Sequence, residues 1–255
     1  MRRGNLYIFG FITVISAVAA LLLSLTFRLL NDRQQLNIEA DMKKNILIAV
    51  GLRDCECYSR DGLSHKECCD VQCCYRENIK SLVVDSKGMV VKTDTPAELI
   101  NPENESAKAP ESRKYPVFVR MEDGREVTFC VPVSGKGVWS TLYGYIALKR
   151  DFDTVAGMTF YRHGETPGLG AEIEKRWFLE NFRGRKIRDR NGALVSISVV
   201  KGRADPGSPM YQHQVDGISG ATLTGDGVTQ LLLKSLRLYE PYFQRKIKEQ
   251  AYAGE

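Results

Sequence analysis

Asp216-Gly217-Ile218-Ser219-Gly220-Ala221-Thr222-Leu223-Thr224-Gly225-Asp226-Gly227 is the stretch on which the reading of this chain turns. Small and hydroxyl-bearing residues dominate it. It runs into residues 223–238, where Val228, Leu231, Leu232 and Leu236 fall on one helical stripe and Pro241 stands just beyond. A loop that opens a helix offers free N–H groups, the positive end of the macrodipole and nearby hydroxyls, all of which favour a phosphate. The same features describe an ordinary helix start with Ser219 or Thr222 as cap, and spacing alone favours that plainer reading. The Gly-Lys-Ser/Thr ending of a Walker loop and the GxGxxG dinucleotide fingerprint are both missing.

A second loop shares the plan of a β-like run, a glycine-containing turn and a helix. His163-Gly164-Glu165-Thr166-Pro167-Gly168-Leu169-Gly170 lies between a β-like run at 154–161 and a helical pattern at 172–182 that carries Ile173, Trp177, Phe178 and Phe182. Its glycines let backbone approach a flat ligand closely, and Pro167 fixes its own φ. On composition alone the plainer reading, a turn before the helix at Glu172, is the favoured one.

Outside these loops the chain reads as short strands and turns. Residues 81–91 form a hairpin pattern around Asp85-Ser86-Lys87-Gly88, and 117–132 form another around Glu122-Asp123-Gly124-Arg125. Residues 142–148 and 195–200 read as further strands, the latter after the Asn191-Gly192 turn signal. Residues 96–116, rich in Pro, Glu, Asn, Ser and Lys, read as a mobile surface loop. The fold class is α+β, a mostly antiparallel sheet with helices.

The N-terminus differs in kind. Residues 4–27 carry no charge, and 6–30 are apolar enough and long enough to span a bilayer as a single-pass transmembrane helix. Residues 1–5 form a short tail, and a juxtamembrane helix fills 31–52 and ends at Gly51. Arg2 and Arg3 on one side face Arg28 and Arg33, partly offset by Asp32, on the other, so charge alone does not fix the topology; a short basic N-terminus kept inside would export everything from about Leu29 onward.

The 36 basic and 31 acidic residues are interleaved, so no basic stripe exists for nucleic acid. The three histidines, His65, His163 and His213, have no zinc-like spacing, and no hydrolase or kinase motif occurs. Six of the seven cysteines crowd into 53–76, an irregular polar insertion: Cys55, Cys57, Cys68, Cys69, Cys73 and Cys74. An even number in an exported loop favours disulfides over a metal site, with the pairing open. Cys130 reads as a buried, inert thiol.

Asp216-Gly217 followed by Ser219-Gly220-Ala221-Thr222 resembles the motif recognised by the periplasmic flavin transferase. Taken with Gly135-Lys136-Gly137-Val138-Trp139-Ser140, Thr154-Val155-Ala156-Gly157, the 163–170 loop and Lys43-Lys44-Asn45-Ile46-Leu47, the chain resembles the C subunit of the sodium-translocating NADH:quinone reductase. The alternative is the G subunit of an Rnf-type ferredoxin:NAD reductase, which shares the loop pair but has a Gly-Tyr-Gly-Gly type sequence where this chain has Gly135–Trp139. A non-redox membrane-tethered binding protein and a disulfide-stapled structural protein are the readings outside electron transfer.

The resemblance implies an FMN domain at 77–255, with FMN bound covalently through a phosphoester to Thr222. A transferase using FAD as donor forms that bond, and Asp216 and Gly217 serve its recognition. Ser219, Gly220 and Ala221 position the hydroxyl, with Leu223 and Thr224 beside the phosphate. Glu165, Thr166, Leu169 and Gly170 lie near the flavin ring. Trp139 is either a flavin contact or a core aromatic at a strand end. No catalytic residue and no metal ligand is implied, because the flavin carries the redox step. The implied setting is the bacterial inner membrane with the FMN domain on the periplasmic side. There it would pass electrons from an intramembrane iron–sulfur centre to the flavin of the B subunit, among partner subunits A, B, D, E and F.

Overall fold

The computed structural model describes residues 2–52 and 71–253. The chain divides into two compact units, Met1–Asp41 and Met42–Glu255. Helix α1, Arg2–Ala49, makes up the first and contributes its last residues to the second. Within it, Tyr7–Asn31 has a mean hydropathy of 2.5 and is long and apolar enough to cross a membrane.

The apolar stretch and the juxtamembrane stretch run on as one helix, since 28–49 contains no Gly or Pro to stop it. The stop comes at Gly51, φ 89°. Leu52 N–H donates to Leu47 O at 2.8 Å and Gly51 N–H to Ile48 O at 3.1 Å, the paired bonds of a Schellman ending.

The second unit is built on a five-stranded antiparallel meander, β1 (Ile79–Asp85), β2 (Lys114–Glu122), β3 (Arg125–Lys136), β4 (Thr141–Lys149) and β5 (Val155–Arg162), in that spatial order. Asp123 and Gly124, both at positive φ, make the tight two-residue turn between β2 and β3. Side chains alternate across the sheet, and both faces are buried. Val117, Val119, Phe129, Val131, Val133, Leu142, Ile146 and Leu148 meet Val228, Leu231, Leu232, Leu236, Tyr239 and Phe243 of α5, Thr222–Ala253.

On the other face, Phe118, Cys130, Tyr145 and Ala147 meet Ile46, Leu47, Ala49 and Val50 from the end of α1, and Cys74 and Tyr75 from α2, Val71–Asn78. Burial pushes the Cys130 thiol far above its ordinary range, in line with an inert core cysteine. Arg120 Nη1 donates to the Val50 carbonyl at 3.2 Å, near the negative end of α1.

Several expectations fail locally, each for a physical reason. The 53–76 block is not irregular throughout, because its last six residues, from Val71, begin α2. Cys73 and Cys74 on that helix are disulfide-bonded, whereas Cys55, Cys57, Cys68 and Cys69 lie outside the described residues. The first hairpin has only one bridge beyond the turn, Val84 to Val90.

Residues 96–116 do not form a loop without structure. They contain short helical turns, including α3, Pro102–Ser106, and enter β2 at Lys114. Buried Glu105 holds them by accepting from Lys108 and from the Lys114 amide. The helical pattern at 172–182 is split at Lys175, ψ 143°, into a 3-10 turn and α4, Arg176–Glu180. The strand expected at 195–200 is reduced to β6, Ser198–Val199, paired in parallel with β7, Gln214–Val215. Ser196 at φ 66° breaks the extended run before it.

Helix α5 does not stop before Pro241 but continues to Ala253. The proline lacks an N–H, a defect of roughly 3 kcal/mol in a helix interior. Tyr239, Tyr242 and Phe243, all fully buried around it, offset that cost by continuing the apolar stripe.

Candidate functional site

The sequence-predicted residues converge where α5 begins. A cleft of about 270 Å³ is walled by three segments: Val138-Trp139, residues 165–170 and residues 220–224. Glu165, Thr166, Leu169, Gly170, Gly220, Ala221, Thr222, Leu223, Thr224 and Trp139 all line it. Ser219 is exposed immediately before it, outside the lining. The opening is smaller than the ~300–1,000 Å³ of enclosed ligand pockets.

Thr222 stands at the first turn of α5. The Gly225 amide donates to Ala221 O at 3.0 Å, which makes Ala221 the cap and Thr222 the first helical residue. Neither Ser219 nor Thr222 is therefore the cap that spacing allowed. The amides of a first turn have no intrahelical acceptor, and the macrodipole ends there, so a phosphate on this side chain is favoured. The Thr222 side chain is exposed and its hydroxyl has no hydrogen-bond partner among the described residues.

Thr224, two residues on, is different: it is buried and its hydroxyl donates to Glu165 Oε2 at 2.7 Å. The other Glu165 oxygen accepts from the amides of Val138 and Trp139, each at 3.1 Å. Close approach is written into the glycines around this carboxylate. A Cβ on Gly137 would lie 2.6 Å from Glu165 Oε1, and one on Gly170 2.6 Å from Thr224 Oγ1 and 2.8 Å from Glu165 Oε2. The loop is further pinned by Gly164 N–H to Ser140 Oγ at 2.6 Å. Its tip is a tight turn, with Leu169 N–H donating to Thr166 O across Pro167 and Gly168, the latter at φ 74°.

Asp216 and Gly217 lie upstream, outside the cleft lining. Asp216 Oδ1 accepts from the Ala204 amide at 2.9 Å, and Gly217 donates to Gly202 O at 2.7 Å. A Cβ on Gly217 would collide with the Val200 carbonyl oxygen, so only glycine fits there. Trp139 is 74% exposed, which rules out the core-aromatic alternative. Val138, Gly137 and Ser140 belong to the site, although nothing in the sequence singles them out one by one. Their signal is the 135–140 segment taken as a whole, which carries part of the family resemblance. A second opening of about 460 Å³ shares Val138 and Trp139 as a wall and extends toward Ser134 and Lys234, away from Thr222.

The FMN-binding domain family matches residues 137–237, which contain all three walls of the cleft. The chain is 48% identical over 116 residues to the C subunit of the Na(+)-translocating NADH-quinone reductase of Pseudomonas aeruginosa, a match that spans 46% of this chain and 44% of that one. It is 33% identical to the corresponding protein of Vibrio anguillarum over 232 residues, covering 85% of this chain and 84% of that one. The crystal structure of the C subunit from Parabacteroides distasonis superposes with a TM-score of 0.68 at 34% identity, over 84% of this chain and 96% of that one. That of Shewanella oneidensis NqrC does so with 0.65 at 26%, over 82% and 97%. This chain belongs to the family of C subunits of Na(+)-translocating NADH-quinone reductases, and it contains that family's FMN-binding domain.

Proposed function

We propose that this chain carries FMN through a phosphoester bond to Thr222 and serves as an electron relay in a sodium-translocating NADH:quinone reductase. The observation that carries the reading is the contrast between two threonines on one helical turn. Thr222 is exposed and unpartnered among the described residues, at the mouth of the cleft, whereas Thr224 is buried and committed to Glu165. Ser219 lies in the loop before the helix, where it lacks the first-turn amides around Thr222.

When bound, FMN would supply the redox chemistry, and the chain's residues would hold it, orient it and set its surroundings. The first turn of α5 would receive the phosphate. Leu169, Leu223, Val138 and Trp139, all exposed apolar side chains, would cover the ring. Electrons pass, in this reading, from an intramembrane iron–sulfur centre to the flavin of the B subunit, within a complex of subunits A, B, D, E and F. A flavin transferase that uses FAD as donor installs the FMN and recognises Asp216 and Gly217.

The globular unit lies on the periplasmic side of a bacterial inner membrane, anchored by Tyr7–Asn31 among the lipids. Disulfide-bonded Cys73 and Cys74 support that side, since such bonds persist in oxidising compartments. A covalent tether also has a purpose there, because lost FMN could not be replaced from a cytoplasmic pool.

The experiment is mass spectrometry of the full chain produced with the transferase. The peptide containing Thr222 gains one FMN-sized increment, Thr222→Ser keeps it and Thr222→Ala loses it. A wild type without the increment sinks the FMN reading, and an increment that survives Thr222→Ala moves the attachment elsewhere.

A further inference from the structure

The family resemblance puts Glu165 beside the flavin ring, but its hydrogen bonds point to another task. It is buried, and every partner its side chain has among the described residues is a donor: the amides of Val138 and Trp139 and the hydroxyl of Thr224. Three converging donors and no acceptor are what an ionised carboxylate accommodates. The partners come from two elements far apart in sequence, the β3–β4 connection and the first turn of α5. Glu165 itself is supplied by the third wall.

The surrounding glycines leave no room for a side chain around this carboxylate and its partner. Gly137 and Gly170 each have space for no more than a hydrogen where a Cβ would meet Glu165 or its partner Thr224. The carboxylate also lines the cleft. A negative charge fixed there opposes the arrival of electrons on any group bound beside it, with little screening in a partly dry site.

We propose that Glu165 is a positioning residue that clamps the three walls of the cleft together and, through its fixed charge, lowers the reduction potential of the flavin held there. The second half rests on the FMN reading; the first does not. The clamp sets the distance between the turn that bears Thr222 and the loop that bears Trp139, and the charge makes the reduced flavin a stronger donor.

Two measurements on the full chain separate these halves from each other and from the FMN reading. The first is a double-variant cycle, Glu165→Gln with Thr224→Val, followed by thermal unfolding of protein made without the transferase, so that no flavin is involved. Coupling through the clamp makes the double variant lose less than the sum of the two single losses; simple additivity overturns the clamp. The second is the flavin midpoint potential of the flavinylated protein. Glu165→Gln keeps the size and removes the charge, and raises the potential. Glu165→Asp keeps the charge, loses reach, and lowers the melting temperature while staying nearer the wild-type potential. An unchanged potential in Glu165→Gln overturns the charge role. A wild type with no flavin increment sinks the FMN reading and, with it, the charge role, while the cycle still decides the clamp.

Discussion

Arg188 grips Glu240 with both terminal nitrogens of its guanidinium, Nη1 to Oε1 at 2.7 Å and Nη2 to Oε2 at 2.8 Å. The arginine is almost fully buried, and its Nε also donates to Phe152 O. The pair ties the segment after α4 to α5 one residue before Pro241. Removing Glu240 strands a buried cation, so Glu240→Ala should lower unfolding free energy by roughly 3 kcal/mol. Urea denaturation checks this, and the companion Arg188→Met/Glu240→Leu should recover part of the loss. Equal losses in both would mean that packing, and not charge pairing, matters at this place.

Gly135 faces α5 so closely that a Cβ there would overlap the Leu231 Cβ and lie 3.0 Å from its Cα. Neither of those atoms is the far end of a flexible side chain that could yield. Gly135→Ala should therefore cost about 1–3 kcal/mol by overpacking. It should also reduce flavin incorporation, since it moves α5 away from the strand that leads to Trp139. A melting temperature equal to wild type would show that the helix shifts freely.

Cys130 is fully buried on the sheet face opposite α5, and its thiol is pushed up by that burial. Thiolate is the reactive form, so native protein should leave Cys130 unlabelled by maleimide at neutral pH and label it only after unfolding. Peptide-level mass spectrometry reads the result directly. Labelling of the native state within minutes would mean that the face opens.

Asp151 accepts from the amides of Asp153 and Thr154 and from the Thr154 hydroxyl, at 3.1, 2.9 and 2.6 Å, and so shapes the β4–β5 turn. Burial works to raise its pKa, but the Thr154 hydroxyl and the two amides outweigh it and hold it below the ordinary carboxylate range. A folded value below the unfolded one means stability that is present above about pH 4 and lost as pH falls through the lower folded value. Melting temperatures measured from pH 6 down to pH 3, at about one-unit steps, should fall less steeply in Asp151→Asn than in wild type. Parallel curves would remove Asp151 from the acid response.

The cleft is largely legible in the sequence because its residues carry unusual local chemistry. Glycines at 137, 168, 170 and 220, a proline at 167 and threonines at a helix start leave a mark that tertiary packing does not erase. The strands of the main sheet are legible because runs rich in Val, Ile, Phe and Tyr stand between turn signals. Helix limits are not. Pro241 stops a helix by local rules, yet Tyr239, Tyr242 and Phe243 are buried deeply enough to carry it onward. The role of Glu165 is also out of reach of the sequence, since its partners lie 26, 27 and 59 residues away along the chain.

The end of α1 covers Phe118, Cys130, Tyr145 and Ala147, and a Cβ on Gly157 of β5 would lie 2.5 Å from the Ala49 carbonyl oxygen. For anyone preparing a water-soluble fragment, the safe place to cut is therefore inside a helix. Starting near Met42 keeps the sheet's lid; starting after Leu52, past the end of that helix, would bare a continuous oily surface and favour clumping over folding. What looks like the stalk of this protein is, over its last turns, part of the core.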